Sequence, residues 1–392
     1  MPSNSPLAIP AVYMRGGTSK GVFFHGKDLP ADAAERDEML LRIMGSPDPY
    51  GRQMDGMGAA TSSTSKVVVI TPSTRPGHDV DYLFGQVSID APLIDWSGNC
   101  GNLSTAVGPF ALANGLVSGP RDGIATVRIW QANIEKTIIA HVPMADGEVL
   151  EDGDFILDGV AFAAARVELE FLDPAGGAGT VLLPTGNASD MLDLGEYGTV
   201  EATLINAGNP TVIVSAAALG LTGTESAATV DAQKALLARC EAVRAAGTVR
   251  MGLAATVAEA TQFRPATPKL AYVSPPASYI TSDGREIAQD DVDLVVRMLS
   301  MGKQHHALTG TGSIAIAVAT AIPGTLAHAQ MAPRAGVDAG VRLGHGSGTI
   351  AVGVKLDGDS ASRQQVTSVI ISRSARVLME GRVRLPGKKT PK

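Results

Sequence analysis

Aromatic residues make up only 4% of the 392 positions, so the cores must be packed from Val, Ile, Leu and Ala rather than from rings. Cysteine occurs twice, at Cys100 and Cys240, too few for a disulfide framework, and a reducing cytoplasm is the expected compartment. No run approaches the ~18 apolar residues of a membrane-spanning helix. The opening MPSNSPLAIPAVYMRGG lacks a charged segment followed by a long apolar one, so it does not read as a signal peptide. Basic excess is missing as well: a net charge of −7 argues against nucleic acid or an anionic membrane as partner. The seven histidines show no metal-ligand spacing. His305-His306, with no ligand residue nearby, reads as structural or exposed, and no metal is expected.

What is present is an ordinary globular composition, 45% apolar and 18% charged, with 44 glycines for tight turns. The length suffices for two domains or one large pseudo-repeat. β-branched runs bounded by turn residues predict strands over 67–70, 80–87, 124–130, 136–142 and 167–171. The second half adds 202–205, 211–214, 349–355 and 366–372. Start and stop signals and helical spacing predict helices over 31–44, 103–113, 231–246 and 313–322, with a further helical stretch over 290–301.

The order of elements repeats. Each half runs strands, an amphipathic helix, a Gly-rich turn, an uncharged helix, then strands. The two turns read Gly98-Asn-Cys-Gly-Asn102 and Thr309-Gly-Thr-Gly-Ser313. A helix without charge is normally buried on all sides. Two such helices wrapped by mixed strands imply an α+β fold of two pseudo-repeated lobes with a cleft between them. The expected lobes are 1–190 and 191–392, joined near 185–200.

Cys100 lies immediately before a helix, where unpaired N–H groups and the dipole favour a reactive thiolate. The alternative is an inert buried cysteine, as Cys240 reads on its apolar helical face. Lys66 follows five consecutive hydroxyl residues, Thr61–Ser65, and opens an apolar strand. It is either a solvated surface charge or a partly desolvated amine able to act as a base beside an oxyanion cradle. Arg15-Gly-Gly-Thr-Ser-Lys20 is an anion site or a tight hairpin turn with exposed charges. Gly344-His-Gly-Ser-Gly348 has the same two readings, and Asn206–Pro210 offers an amide to a carboxylate or is simply a turn. Gly310-Thr-Gly-Ser-Ile-Ala315 fits a dinucleotide pattern, but no clear strand precedes it and no acidic residue follows at ribose distance, so a nucleotide cofactor is rejected.

Several of these segments together resemble one family. Tyr13-Met-Arg-Gly-Gly-Thr-Ser-Lys-Gly-Val-Phe-Phe24, Ser46-Pro-Asp-Pro-Tyr-Gly51 and Asp55-Gly-Met-Gly58 are similar to the opening of the PrpF family, the 2-methylaconitate cis–trans isomerases. So are Thr61–Lys66, Asp95–Asn102 and Ile129–Asn133, while Arg342–Gly348 extends the likeness into the second half. The match favours this branch over methylitaconate isomerases and oxalomesaconate tautomerases. The resemblance implies the diaminopimelate-epimerase fold, two lobes each with a curved mixed sheet or barrel around a central helix, and the active site between them. In the epimerases a cysteine precedes each central helix. Here Cys100 stands before the first and Thr309 before the second, and a hydroxyl is too weak an acid to replace a thiolate. Two-thiol racemisation is therefore excluded.

The implied reaction is cofactor-free allylic proton abstraction and return on an unsaturated tricarboxylate. Lys66 and Cys100 are the catalytic candidates. Arg15, Gly17, Thr18, Ser19 and Lys20 in the first turn are candidate carboxylate binders. Ser65, Asn99, Gly101 and Asn102 surround the thiol. Asn209, then Thr309, Gly310 and Thr311, then Gly346 and Ser347 come from the second half. An allylic double-bond shift and a non-catalytic polycarboxylate-binding protein are the alternatives, and a homodimer is left open.

Overall fold

The computed structural model describes residues 7–174, 181–332, 340–357 and 365–385. Part of the N-terminal stretch read for a leader, residues 1–6, lies outside them. Among the described residues no helix is long and apolar enough to cross a membrane.

The repeat expected from element order is a repeat of strand pairing. In the first half Leu7–Gly16 and Ser19–His25 form a hairpin, and the second of these runs parallel to Lys66–Pro72. Lys66–Pro72 pairs antiparallel with Val80–Val87, which runs parallel to Gly123–Gln131. Gly123–Gln131 turns back into Lys136–Ala145, and that strand pairs with Val167–Leu172. The second half repeats each step with Thr199–Ala207, Asn209–Ser215, Lys269–Ser274, Leu294–Ser300, Val341–His345, Gly348–Asp357 and Gln365–Arg373. The halves share hydrogen bonds: Gln365–Arg373 also pairs with Val167–Leu172, and the last described strand, Ala375–Leu385, returns to Leu7–Gly16.

Each half curls around one uncharged helix, Gly101–Ala113 or Gly310–Thr320. All residues from Gly101 to Ala111, and all of Gly310–Thr320, are buried. That burial is the reason these segments carry no charge. The amphipathic helices Ala33–Met44 and Lys234–Arg250 pack outside. The first starts on an Asp32 cap and stops at left-handed Gly45, as the sequence signals predict. The second begins three residues later than expected, because Asp231 closes a separate short helix, Ala227–Asp231.

One predicted helix is wrong. Residues 290–301 form a short turn, Gln289–Asp291, followed by the strand Leu294–Ser300. All seven residues of that strand are buried between an antiparallel and a parallel neighbour. Such a strand reads as a continuous apolar run, which periodicity cannot separate from a buried helix. A strand therefore does precede Gly310, and the case against a dinucleotide site rests on the missing acidic residue alone.

Candidate active site

The N-termini of the two central helices meet. Cys100 caps the first, its Sγ accepting the Leu103 N–H at 3.4 Å. Thr309 caps the second, its Oγ1 accepting the Gly312 N–H at 3.1 Å and donating to Met298 Sδ. A Cβ built on Gly101 would lie 2.7 Å from the Thr311 nitrogen, and one on Gly310 would lie 2.6 Å from the Gly101 carbonyl carbon. Only glycine permits this approach. First-turn N–H groups have no helical acceptor, so two positive helix ends face one small volume.

Lys66, Lys269, Cys100 and Thr309 line that volume, with Ser19, Phe84, Gln86, Asn99, Ser300 and His305 around them. Lys66 is the first residue of its strand and is buried. Its Nζ donates to Gln86 Oε1 at 2.6 Å and lies 4.9 Å from the Phe84 ring centre. Burial lowers its pKa from the ordinary lysine value, while Cys100 acts in the opposite sense through charge and hydrogen bonding. The desolvated-lysine reading of Lys66 thus describes its environment. Gln86 is itself fixed, donating through Nε2 to the Ser65 carbonyl at 2.9 Å. The Ser65 hydroxyl accepts from Gln53 Nε2 at 2.7 Å, so this residue supports Lys66 from behind and does not open into the pocket.

Asn209 ties the halves together. Its Oδ1 accepts the Asn99 N–H at 2.8 Å, and its Nδ2 donates to the Asn99 carbonyl at 2.7 Å and to Thr311 Oγ1 at 3.0 Å. Asn102 donates to Thr18 Oγ1 at 2.9 Å and packs on Gly17, whose φ is +52°. Asn99 Nδ2 and Asn102 Oδ1 are buried without a partner, which leaves one donor and one acceptor for a ligand.

Arg15, Lys20, Gly346 and Ser347 also point elsewhere. Arg15 donates to the carbonyls of Gly17 and Ser374, stapling the first hairpin to the link between Gln365–Arg373 and Ala375–Leu385. Lys20 lies 5.5 Å from the Tyr13 ring centre. Gly346 and Ser347 form the hairpin turn ahead of Gly348–Asp357, where the Ser347 hydroxyl donates to the His306 carbonyl at 2.7 Å. The structure gathers Ser19, Lys66, Asn99, Cys100, Gly101, Asn102, Thr309, Gly310 and Thr311 around one pocket. It does not bring Arg15, Lys20, Ser65, Gly346 or Ser347 there, while Gly17, Thr18 and Asn209 reach it only through Asn102, Asn99 and Thr311.

Sequence reading missed Lys269, and of its two readings of His305, structural or exposed, the structure excludes exposure. Lys269 opens strand Lys269–Ser274 as Lys66 opens its counterpart, so a lysine heading an apolar strand in both halves was the available signal. Its Nζ bonds to Ser300 Oγ at 2.9 Å. Burial and the Lys66 charge bring its pKa down to about 7. His305 is buried and stacks on His306 at 4.6 Å. Burial, then His306 and Lys66, hold its pKa well below the ordinary value. Its Nδ1 accepts the Ala307 N–H at 3.1 Å, so the neutral ring carries its proton on Nε2.

Two lobes wound alike around helices whose N-termini meet, with two amines and a thiol in the seam, define an isomerase of the diaminopimelate-epimerase-like class. The family model for the PrpF protein matches residues 7–386, and the chain belongs to that family. It is 56% identical to the 2-methyl-aconitate isomerase of Cupriavidus necator, over 97% of this chain and 98% of that protein. The crystal structure of a methylitaconate-delta-isomerase superposes with a TM-score of 0.76, at 38% identity and covering 100% of both chains. A probable proline racemase from Agrobacterium radiobacter K84 shares the fold, with a TM-score of 0.53, 15% identity and coverage of 95% of this chain and 92% of that one.

Proposed function

We propose that the chain isomerises 2-methylaconitate between its trans and cis forms, without a cofactor, by removing and returning one allylic proton. The observation that carries this reading is a buried lysine beside a helix-capping cysteine in a seam lined by two helix N-termini.

In such a substrate a CH₂ stands beside both a carboxylate and the C=C bond. Lys66, with its pKa lowered by burial, takes one CH₂ proton as a neutral amine. The electron pair spreads into a dienolate, the former double bond gains single-bond character and turns, and the ammonium returns the proton. Cys100 is the partner acid or steadies the developing charge from the helix end. The N–H groups of the two helix ends and Asn99 Nδ2 hydrogen-bond the carboxylate oxygens as charge builds there.

The space among Lys66, Cys100, Lys269 and Thr309 is about 20 Å³, room for about one water molecule and too little for a tricarboxylate. A cleft of about 440 Å³ adjoins it through Gln86, Ser300 and His305. A tricarboxylate therefore enters from the cleft, and the pocket widens on its cleft side to admit it.

A second reading, an allylic double-bond shift, is favoured by the 38% identity to a methylitaconate-delta-isomerase. Incubation with synthetic 2-methylaconitate isomers in deuterated water, read by proton NMR, tests both. Deuterium at the original CH₂ with interconversion of cis and trans supports the first reading. Deuterium at another carbon of a shifted alkene supports the second, and no turnover of either isomer refutes both. The relatives are metabolic isomerases and both cysteines are unpaired, which supports a cytoplasmic location.

A further inference from the structure

Lys269 is the counterpart of Lys66 in the second half, and the sheet pairing fixes the correspondence. Each is the first residue of the strand that runs parallel to its half's hairpin. Each reaches a side chain of the adjacent antiparallel strand, Gln86 for Lys66 and Ser300 for Lys269. Both are buried and line the same seam.

Their partners differ. Lys66 has an amide oxygen, an aromatic face and the Cys100 sulfur near it. Lys269 has one neutral hydroxyl, and among the described residues no ion pair involves it. The nearby carboxylate of Asp95 is already engaged by the N–H groups of Ser97 and Ala266. A buried ammonium without a paired acid is a cation whose counter-charge is missing. Arg15 and Lys20 are turned away, so among the described residues Lys66 and Lys269 are the amines that line the pocket.

Resting on the polycarboxylate-isomerase reading above, we propose that Lys269 binds a substrate carboxylate from the second lobe and takes up a proton from solvent as the ligand enters. Burial and the neighbouring cations outweigh the anions that face it. Lys66 and, more distantly, Arg244 disfavour its charge in the free protein; Asp95 and Cys100 favour it; and His305 is neutral. The resulting pKa of about 7 leaves the free amine largely uncharged on the alkaline side. A carboxylate set against it restores the ammonium. The two equivalent lysines thus divide the work: one grips, the other moves the proton.

The test is calorimetric binding of propane-1,2,3-tricarboxylate, a saturated ligand that cannot isomerise, in buffers of different ionisation enthalpy at pH 8. The wild-type protein should take up close to one proton per ligand, and its affinity should fall towards tenfold per pH unit above neutrality. Lys269→Met should bind at least tenfold more weakly with less than half the proton uptake. Lys269→Arg, with a permanent charge, should bind without that uptake. A folded Lys269→Met protein that binds within twofold of wild type, or that keeps full proton uptake, would overturn the assignment. Turnover plays no part in this readout. Wild type that binds with proton uptake yet does not isomerise 2-methylaconitate removes the proposed reaction and leaves Lys269 in place. Wild type that isomerises, beside a Met variant that binds normally, removes Lys269 alone.

Discussion

Gly101 and Gly310 touch backbone to backbone across the seam, with room for a Cβ on neither: it would fall 2.6–2.7 Å from the opposite main chain. Both are first residues of buried helices, where alanine is otherwise the better helix former by roughly 1 kcal/mol. Gly101→Ala and Gly310→Ala therefore isolate the contact itself. Each should wedge the helix ends apart and displace Cys100 and Thr309 from their shared pocket. A shift of about 1 Å at reacting groups can cost roughly 100-fold in rate. We expect kcat/KM to fall by about that factor with helical content by circular dichroism unchanged. Activity within twofold of wild type would show that the touching arrangement is not the working one.

Lys66→Met should lower kcat by roughly 10²–10⁴-fold, the usual contribution of a positioned base, while the chain stays folded. Met matches the buried stem and removes only the amine, so Gln86 loses its donor without a cavity forming. Steady-state kinetics on 2-methylaconitate is the measurement, and a loss below tenfold would take Lys66 out of the proton transfer.

The local setting of Cys100 and Lys66 was legible in the sequence, and the long-range half of the pocket was not. Cys100 and Lys66 were legible because turn residues and helix starts act over four or five positions. The β-branched strands were legible for the same reason. Arg15 and Lys20 looked like anion binders because no acidic residue stands beside them in the sequence. Arg15's partner, Ser374, lies 359 positions away. Leu294–Ser300 was read as helix because a strand buried on both faces loses its alternation. Lys269 escaped because Pro-Lys-Leu-Ala looks like any surface lysine ahead of a strand; its meaning comes from superposing one half on the other.

The two cysteines should react in a fixed order. Cys240 is buried on the outer helix, and desolvation pushes its pKa up to about 12, so the nucleophilic thiolate is scarce there near neutral pH. Cys100 lines the seam beside a buried lysine. Treatment with a small alkylating reagent near neutral pH, followed by peptide mass spectrometry, should find Cys100 modified first. Saturating propane-1,2,3-tricarboxylate should suppress that modification. Earlier labelling of Cys240, or labelling of Cys100 unaffected by any polycarboxylate, would move the ligand away from this pocket.

The last expectation joins stability to pH. In the folded, unliganded protein Lys269 titrates at about 7, whereas an unfolded lysine titrates near its ordinary value of 10.5. Between these values the unfolded chain holds a proton that the folded one lacks, so stability rises with pH across the window. Below it both states are protonated and the folded protein bears the full penalty of the buried charge. The slope from this one group is on the order of 1.4 kcal/mol per pH unit. Lys269→Met removes the group and should flatten that rise, so the variant should melt at a higher temperature than wild type near pH 7 and converge with it near pH 10. Saturating tricarboxylate should reverse the order near pH 7, because the ligand stabilises wild type through the charge that burden creates. Thermal denaturation with and without ligand at several pH values decides it. A Met variant less stable than wild type without ligand near pH 7 would mean that the amine packs as a satisfied structural group, and the trade of stability for binding would fail.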